Sequence, residues 1–228
     1  MLHAAGAELA VTWHGEKSLP HVAPLLHELD IQIAMQMDVG HPEQMQALFD
    51  VLAARWGRLD FVIHSVAFAP QEDLRGRMVD SSPAGFALAM DVSCHSFVRL
   101  ARHAEPLMTA GGSLITMSYL GAEEVVEHYG LMGPVKAALE SSVRYLAAEL
   151  GPAGIRVNAV SPGPIDTRAA SGLAAFDALL ADAARRAPLR RLVGIDEVGA
   201  LCAFLVGDGA RSITGGTHYV DAGFHILN

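Results

Sequence analysis

Short apolar runs alternate with longer stretches of helical periodicity along the whole chain, and this alternation limits the fold more than any other feature. The runs Glu8–Trp13, Ile31–Asp38, Leu59–His64, Ser113–Ser118, Ile155–Val160 and Thr217–Val220 read as strands. Between them, Leu19–Leu29, Pro42–Trp56, Ser82–Met108, Pro134–Leu150, Phe176–Arg186 and Asp196–Val206 read as helices. The strands are too apolar for a sheet with one wet face. The pattern predicts an α/β fold, a Rossmann-like doubly wound parallel sheet with helices on both faces. Asp196 is the expected N-cap of the last helix, and Gly151 the expected stop after Leu150.

Composition narrows the function classes. Apolar residues make up 51% of the 228 positions and aromatics only 6%, so Ala, Val, Leu, Ile and Met must build the core. Sixteen Lys+Arg against 25 Asp+Glu give a net charge of −9, which excludes the broad basic face a nucleic-acid partner needs. Arg185–Arg186 and Arg190–Arg191 are too small for such a footprint and read as a solvated helix end and a turn. Cys94 and Cys202 form no CxxC, and Cys202, inside ALCAFLV, reads as a core thiol in a reducing compartment. Eleven histidines show no metal-ligand spacing, so no metal is expected. No apolar stretch approaches the roughly 20 residues that span a bilayer, and the N-terminus lacks signal-peptide character. The expectation is a soluble, cytoplasmic, non-secreted chain without membrane partners, with residues 1–228 forming one domain.

In a parallel sheet, ligands bind beyond the carboxyl ends of the strands. Those exits read Asp38-Val39-Gly40, His64-Ser65-Val66-Ala67-Phe68-Ala69-Pro70, Ser118-Tyr119-Leu120-Gly121 and Ser161-Pro162-Gly163-Pro164-Ile165. Small residues at all four leave room for a ligand, which points to a cofactor cleft. Tyr129 and Lys136 lie seven apart, about two helical turns, and Pro134 places the helix start near Gly130–Pro134. Tyr129 then stands just ahead of the helix, and Lys136 reaches back toward it. A nearby ammonium is expected to lower the phenol's pKa and sharpen its donation to a carbonyl oxygen gaining charge.

Tyr129-x-x-Met132-x-x-x-Lys136 matches the signature of the divergent short-chain dehydrogenases/reductases, and Gly133 rules out the commoner lysine four after the tyrosine. HSVAFAP (64–70), SYLGAE (118–123), the long run at 133–172 and TGGTHYVDAGF (214–224) resemble enoyl-acyl-carrier-protein reductases over essentially the whole chain. The resemblance implies NADH-dependent reduction of trans-2-enoyl thioesters on acyl carrier protein, in fatty-acid biosynthesis, by a homotetramer. Tyr129 is implied to hold the thioester carbonyl, Tyr119 to line the substrate pocket, and Lys136 to hold the nicotinamide ribose. His14, Asp38 and Val39 are implied at the adenosine end, with Ser65, Val66 and Ala67 along it and Ala69 facing substrate. Ile165, Asp166, Thr167, Arg168 and Ala169 are implied beside the nicotinamide and pyrophosphate. NADH is favoured over NADPH because Trp13-His14-Gly15 offers no Arg for a 2′-phosphate.

Other readings of single residues stand beside these. Met132 reads as packing, Asp38 also as a turn cap, and Asn158 as a loop support. The chain matches the family only from late in its first helix, so the preceding central strand and glycine-containing turn are missing from the match. The expectation is an N-terminally incomplete domain with a gap between Glu8–Trp13 and Leu59–His64. LAAFDALLADAARR carries basic charge only at Arg185 and Arg186, which places carrier docking there in doubt, and Ala67 stands where many relatives have glycine. A ketoreductase of the same fold and a non-catalytic cofactor-binding subunit are the alternatives.

Overall fold

The computed structural model describes residues 1–165 and 176–227. Six strands form: β1 (Ala10–Trp13), β2 (Ile33–Gln36), β3 (Phe61–His64), β4 (Gly112–Met117), β5 (Ile155–Pro162) and β6 (Thr217–Val220). All their pairings are parallel. The helices are α1 (Leu19–Glu28), α2 (Pro42–Arg55), α3 (Gln71–Arg75), α4 (Pro83–Met90), α5 (Ser96–Ala104), α6 (Met132–Leu150), α7 (Phe176–Arg186) and α8 (Ile195–Val206). None among the described residues is long and apolar enough to cross a membrane.

Side-chain alternation explains why both faces of the sheet are covered. Leu114, Val157 and Ala159 join the buried cluster that includes residues of α2, α5 and α6. Their neighbours Ile115 and Val160 point the other way and pack with Cys202 and Leu205 of α8. Successive strand residues face opposite sides, so each apolar run feeds two cores. Cys202 is buried, as its apolar surroundings imply.

Some boundaries differ from the sequence reading, for local reasons. The segment expected as one helix over Ser82–Met108 is α4, a π turn at Asp91–His95, and α5. That turn brings Ser93 to the exit of β3, where its hydroxyl accepts from the Phe68 amide at 2.8 Å and donates to the Phe68 carbonyl at 2.9 Å. A single π turn inside a helix often marks a functional site, and here it tethers the loop that follows β3. The expected N-cap at Asp196 is also corrected. Helix α8 starts at Ile195, and Glu197 Oε2 accepts from the Gly194 amide at 2.9 Å, so Asp196 falls in the first turn. Gly151 does end α6, and the chain then reverses through Gly154 at φ +74°.

The sheet is in two parts, β2-β1 and β3-β4-β5-β6. Among the described residues no strand lies between β1 and β3. A cavity of about 690 Å³ separates them, with Gly6–Thr12 on one side, Arg58–Ile63 on the other, and Leu48, Phe49 and Leu52 of α2 against it. The gap between the two strands is thus present, and the backbone groups along it lack ladder partners, which is costly when they are buried. Amide exchange tests this split directly. Amides of β4 and β5, each held within the larger sheet, should exchange only on global opening, while those of β1 and β3 that face the cavity exchange orders of magnitude faster. Uniform protection across β1, β3 and β4 would contradict a split sheet.

Candidate active site

The site is built where β4 and β5 end. The Ser118 amide donates to the Val160 carbonyl at 2.7 Å, carrying the pairing one residue past β4. Tyr119 follows in extended conformation and leads into a turn at Leu120–Ala122. Tyr129 lies three residues ahead of α6, close to its expected place. The two tyrosine rings meet at a centroid distance of 4.8 Å with a 58° tilt, a favourable edge-on arrangement. Two glycines permit this approach. A Cβ on Gly121 would sit 2.4 Å from the Tyr129 ring, and Gly130 adopts φ +50° with its Cβ position 3.1 Å from the Leu74 carbonyl oxygen. Neither glycine is recognisable as a site residue without the tertiary contact.

Both tyrosines face a cleft of about 870 Å³ whose walls include Ser65, Ala67, Phe68, Ala69, Met132 and Pro162–Ile165. That volume lies within the range of small-molecule sites. The Tyr119 hydroxyl is buried and has no hydrogen-bond partner, and neither has the Ser161 hydroxyl at the end of β5. Burial raises the Tyr119 phenol to about 12. Burial, and secondarily Tyr119 itself, raises Tyr129 further. This corrects the expectation that Lys136 lowers the phenol. The Lys136 ammonium is buried instead against the end of β4, where Nζ donates to the Met117 carbonyl at 2.6 Å. Its own pKa falls to about 8, chiefly through desolvation. In the free protein both phenols are therefore neutral donors.

Behind the site, His64 is almost wholly buried. Ser96 Oγ donates to the Val92 carbonyl at 2.6 Å, so it accepts from the imidazole Nε2–H at 2.8 Å. Nδ1 is then left to accept from the Thr116 hydroxyl, also at 2.8 Å. Desolvation first, and Lys136 second, lower the His64 pKa to about 3 and keep it neutral. This internal support of β3 and β4 was missed in the sequence, where nothing distinguishes His64 from the ten other histidines.

The remaining candidates are placed unevenly. Ser65, Ala67, Ala69, Tyr119, Tyr129 and Ile165 line the cleft. Val66 packs against the core instead. At the other strand exits, His14 Nε2 lies 3.2 Å from Asp38 Oδ2, so these two expected cofactor residues meet. Asp38 Oδ1 also accepts from the Gly40 amide at 2.8 Å, the turn cap that its other reading names. Val39 is buried, and its carbonyl accepts from Arg99. Asp166, Thr167, Arg168 and Ala169 lie outside the described residues. Asn158 supports backbone as expected, donating to the Ile213 carbonyl at 2.9 Å. Arg185 and Arg186 both pair with Asp182.

A lysine whose folded pKa is depressed destabilises the protein while it stays charged. Between the folded value near 8 and the ordinary 10.5, the unfolded chain holds a proton the folded protein has lost, so this site's penalty fades as pH rises. Lys136→Met should therefore raise the thermal midpoint by several degrees at neutral pH. The advantage over wild type should shrink from about pH 8 toward 10.5. Calorimetry across that range checks it, and an advantage independent of pH would refute the depressed pKa.

A model of the family described as enoyl-(acyl carrier protein) reductase matches residues 1–225. An enoyl-[acyl-carrier-protein] reductase [NADH] of Rhizobium meliloti is 46% identical over 226 residues, covering 99% of this chain and 83% of that protein. One from Nostoc sp. is 47% identical, covering 99% of this chain and 89% of its own length. Among solved structures, the Anaplasma phagocytophilum enoyl-(acyl-carrier-protein) reductase in complex with NAD superposes with a TM-score of 0.95 at 46% identity. It covers 100% of this chain and 87% of that one. The Bacillus cereus enoyl-acyl carrier protein reductase with NADP+ and indole naphthyridinone gives 0.96 at 44% identity, covering 100% and 89%. The chain belongs to the enoyl-(acyl carrier protein) reductase family of short-chain dehydrogenases/reductases.

Proposed function

We propose that this chain reduces the carbon–carbon double bond of trans-2-enoyl thioesters carried on acyl carrier protein, with NADH as reductant, in fatty-acid biosynthesis. The Tyr119–Tyr129 pair carries this reading. It presents two neutral phenols to an apolar cleft, one of them with a buried hydroxyl that lacks a partner. Seven-residue spacing to Lys136, with Gly133 at the four-residue position, sets it apart from the ketoreductase alternative.

The residues present fit a nicotinamide dinucleotide. Ser65 and Ala67 leave space along the cleft, and the unpartnered Tyr119 hydroxyl on its wall suits a polar group of a ligand. Lys136 is assigned to the nicotinamide ribose hydroxyls, and His14, Asp38 and Val39 to the adenosine end. Ser65, Val66 and Ala67 are assigned to the stretch between, and Ile165 with Asp166, Thr167, Arg168 and Ala169 to the nicotinamide and pyrophosphate. A 2′-phosphate beside the Asp38 carboxylate would meet like charge, which favours NADH.

When bound, the dinucleotide supplies a hydride to the β-carbon of the enoyl group. Electron density then moves onto the thioester oxygen, giving an enolate. Tyr129 donates its O–H to that oxygen. A donor already in place, in a site with little water, stabilises charge that develops only in the transition state. The α-carbon takes its proton from solvent. Tyr119 and Ala69 shape the pocket for the acyl chain, and burial of both phenols keeps them protonated donors throughout neutral pH. The reading extends to a homotetrameric assembly and a cytoplasmic location, supported by the family resemblance alone.

Crotonyl thioester and NADH test the activity. Tyr129→Phe should lower kcat/KM about 100-fold or more, the cost of removing one oxyanion donor. Tyr119→Phe should lose about tenfold or less, since it shapes the pocket without holding the developing charge. Failure of the wild-type chain to oxidise NADH or NADPH with this substrate would refute the assignment, and equal losses would refute the division of roles.

A further inference from the structure

Helix α6 holds the end of β4 at two successive residues. Lys136 Nζ donates to the Met117 carbonyl at 2.6 Å. One turn later, Glu140 accepts from the Ser118 hydroxyl at 2.5 Å. Ser118 and Glu140 are both buried, at 4% and 6% exposure, so neither contact is a surface ornament. The next residue after Ser118 is Tyr119, and Tyr129 enters α6 from the other side. Apolar packing seats α6 on the sheet, and the two contacts hold the last residues of β4 against it, directly ahead of Tyr119. A buried carboxylate is costly without hydrogen-bond donors. Desolvation accordingly raises the Glu140 pKa, with Ser118 and Thr217 as the hydrogen bonds that oppose it. The catalytic roles assigned above do not use Glu140.

We infer that Glu140 is a positioning residue of the reductase site, acting through Ser118 to hold Tyr119 against Tyr129. It touches neither ring. Its effect runs through the backbone of Met117–Ser118–Tyr119, which the Lys136 and Glu140 contacts hold at successive residues. The kinetic consequence rests on the proposed reductase activity, while the structural one does not. What the clamp needs from position 140 is an acceptor oxygen in reach of the Ser118 hydroxyl, not a charge. Glutamine supplies one and alanine does not.

Five proteins test this: wild type, Glu140→Ala, Glu140→Gln, Ser118→Ala and the Ser118→Ala/Glu140→Ala double variant that closes the cycle. With crotonyl thioester and NADH, Glu140→Ala and Ser118→Ala should each lower kcat about 10- to 100-fold, the scale of a small misplacement of reacting groups. KM for NADH should move less than about twofold in both, because the defect lies in orientation and not in uniform binding. Glu140→Gln should restore most of kcat. The double variant should be no worse than the poorer single one, as expected for two ends of one contact. In the free protein, amide exchange over residues 119–122 should accelerate about tenfold in the alanine variants and not in Glu140→Gln. A Glu140→Gln protein as impaired as Glu140→Ala, or additive losses in the double variant, would overturn the clamp. If wild type shows no turnover, the proposed function falls, and the exchange comparison still decides the clamp: equal rates in all five proteins overturn it.

Discussion

The packing of α6 against β4 and β5 is the constraint on which the rest depends. Leu139 and Val143 on one face of α6 are fully buried in the core that includes Leu114, Val157 and Ala159. Because that face is fixed by apolar contacts, the polar residues of the same helix have no freedom in where they land. Lys136 and Glu140 fall one turn apart and are driven into the end of β4. Burial of a charged lysine opposes folding, and a short contact to a carbonyl offsets only part of that cost. That cost falls at the end of β4, next to the paired tyrosines.

The two tyrosines illustrate how burial sets chemistry. A phenol whose pKa fell below the working pH would lose its proton and with it the ability to donate. The structure does the opposite, sinking both rings into an apolar wall and turning Lys136 toward a carbonyl. The outcome is a pair of neutral phenols facing a cleft, able to donate to an oxygen that gains charge only during reaction. The same logic governs His64, which desolvation keeps neutral so that it can accept from Thr116 and donate to Ser96.

Much of this was legible in the chain. The six strands, their parallel arrangement and the two-sided burial follow from short apolar runs separated by helical periods, and all six formed within a few residues of expectation. Tyr129 ahead of the helix followed from Pro134, whose missing amide proton suits a first turn. The π turn at Asp91–His95 was not legible, because its cause is a contact between Ser93 and Phe68, 25 residues away. Nor was the cap of α8, since a glycine carries no side-chain signal and the acceptor is Glu197, three residues on. The slot between β1 and β3 was anticipated from the family resemblance, yet its walls and volume belong to the folded protein.

By itself, the sequence determined the architecture and the list of chemically able residues, because periodicity and residue type are local properties. Tertiary structure alone decided what those residues are. It set the protonation of Tyr119, Tyr129 and Lys136, since desolvation depends on what surrounds a group. It set the need for glycine at 121, where the Tyr129 ring occupies the space of a side chain. And it gave Glu140 a partner at Ser118, 22 residues earlier, a contact that exists only after helix and strand have packed.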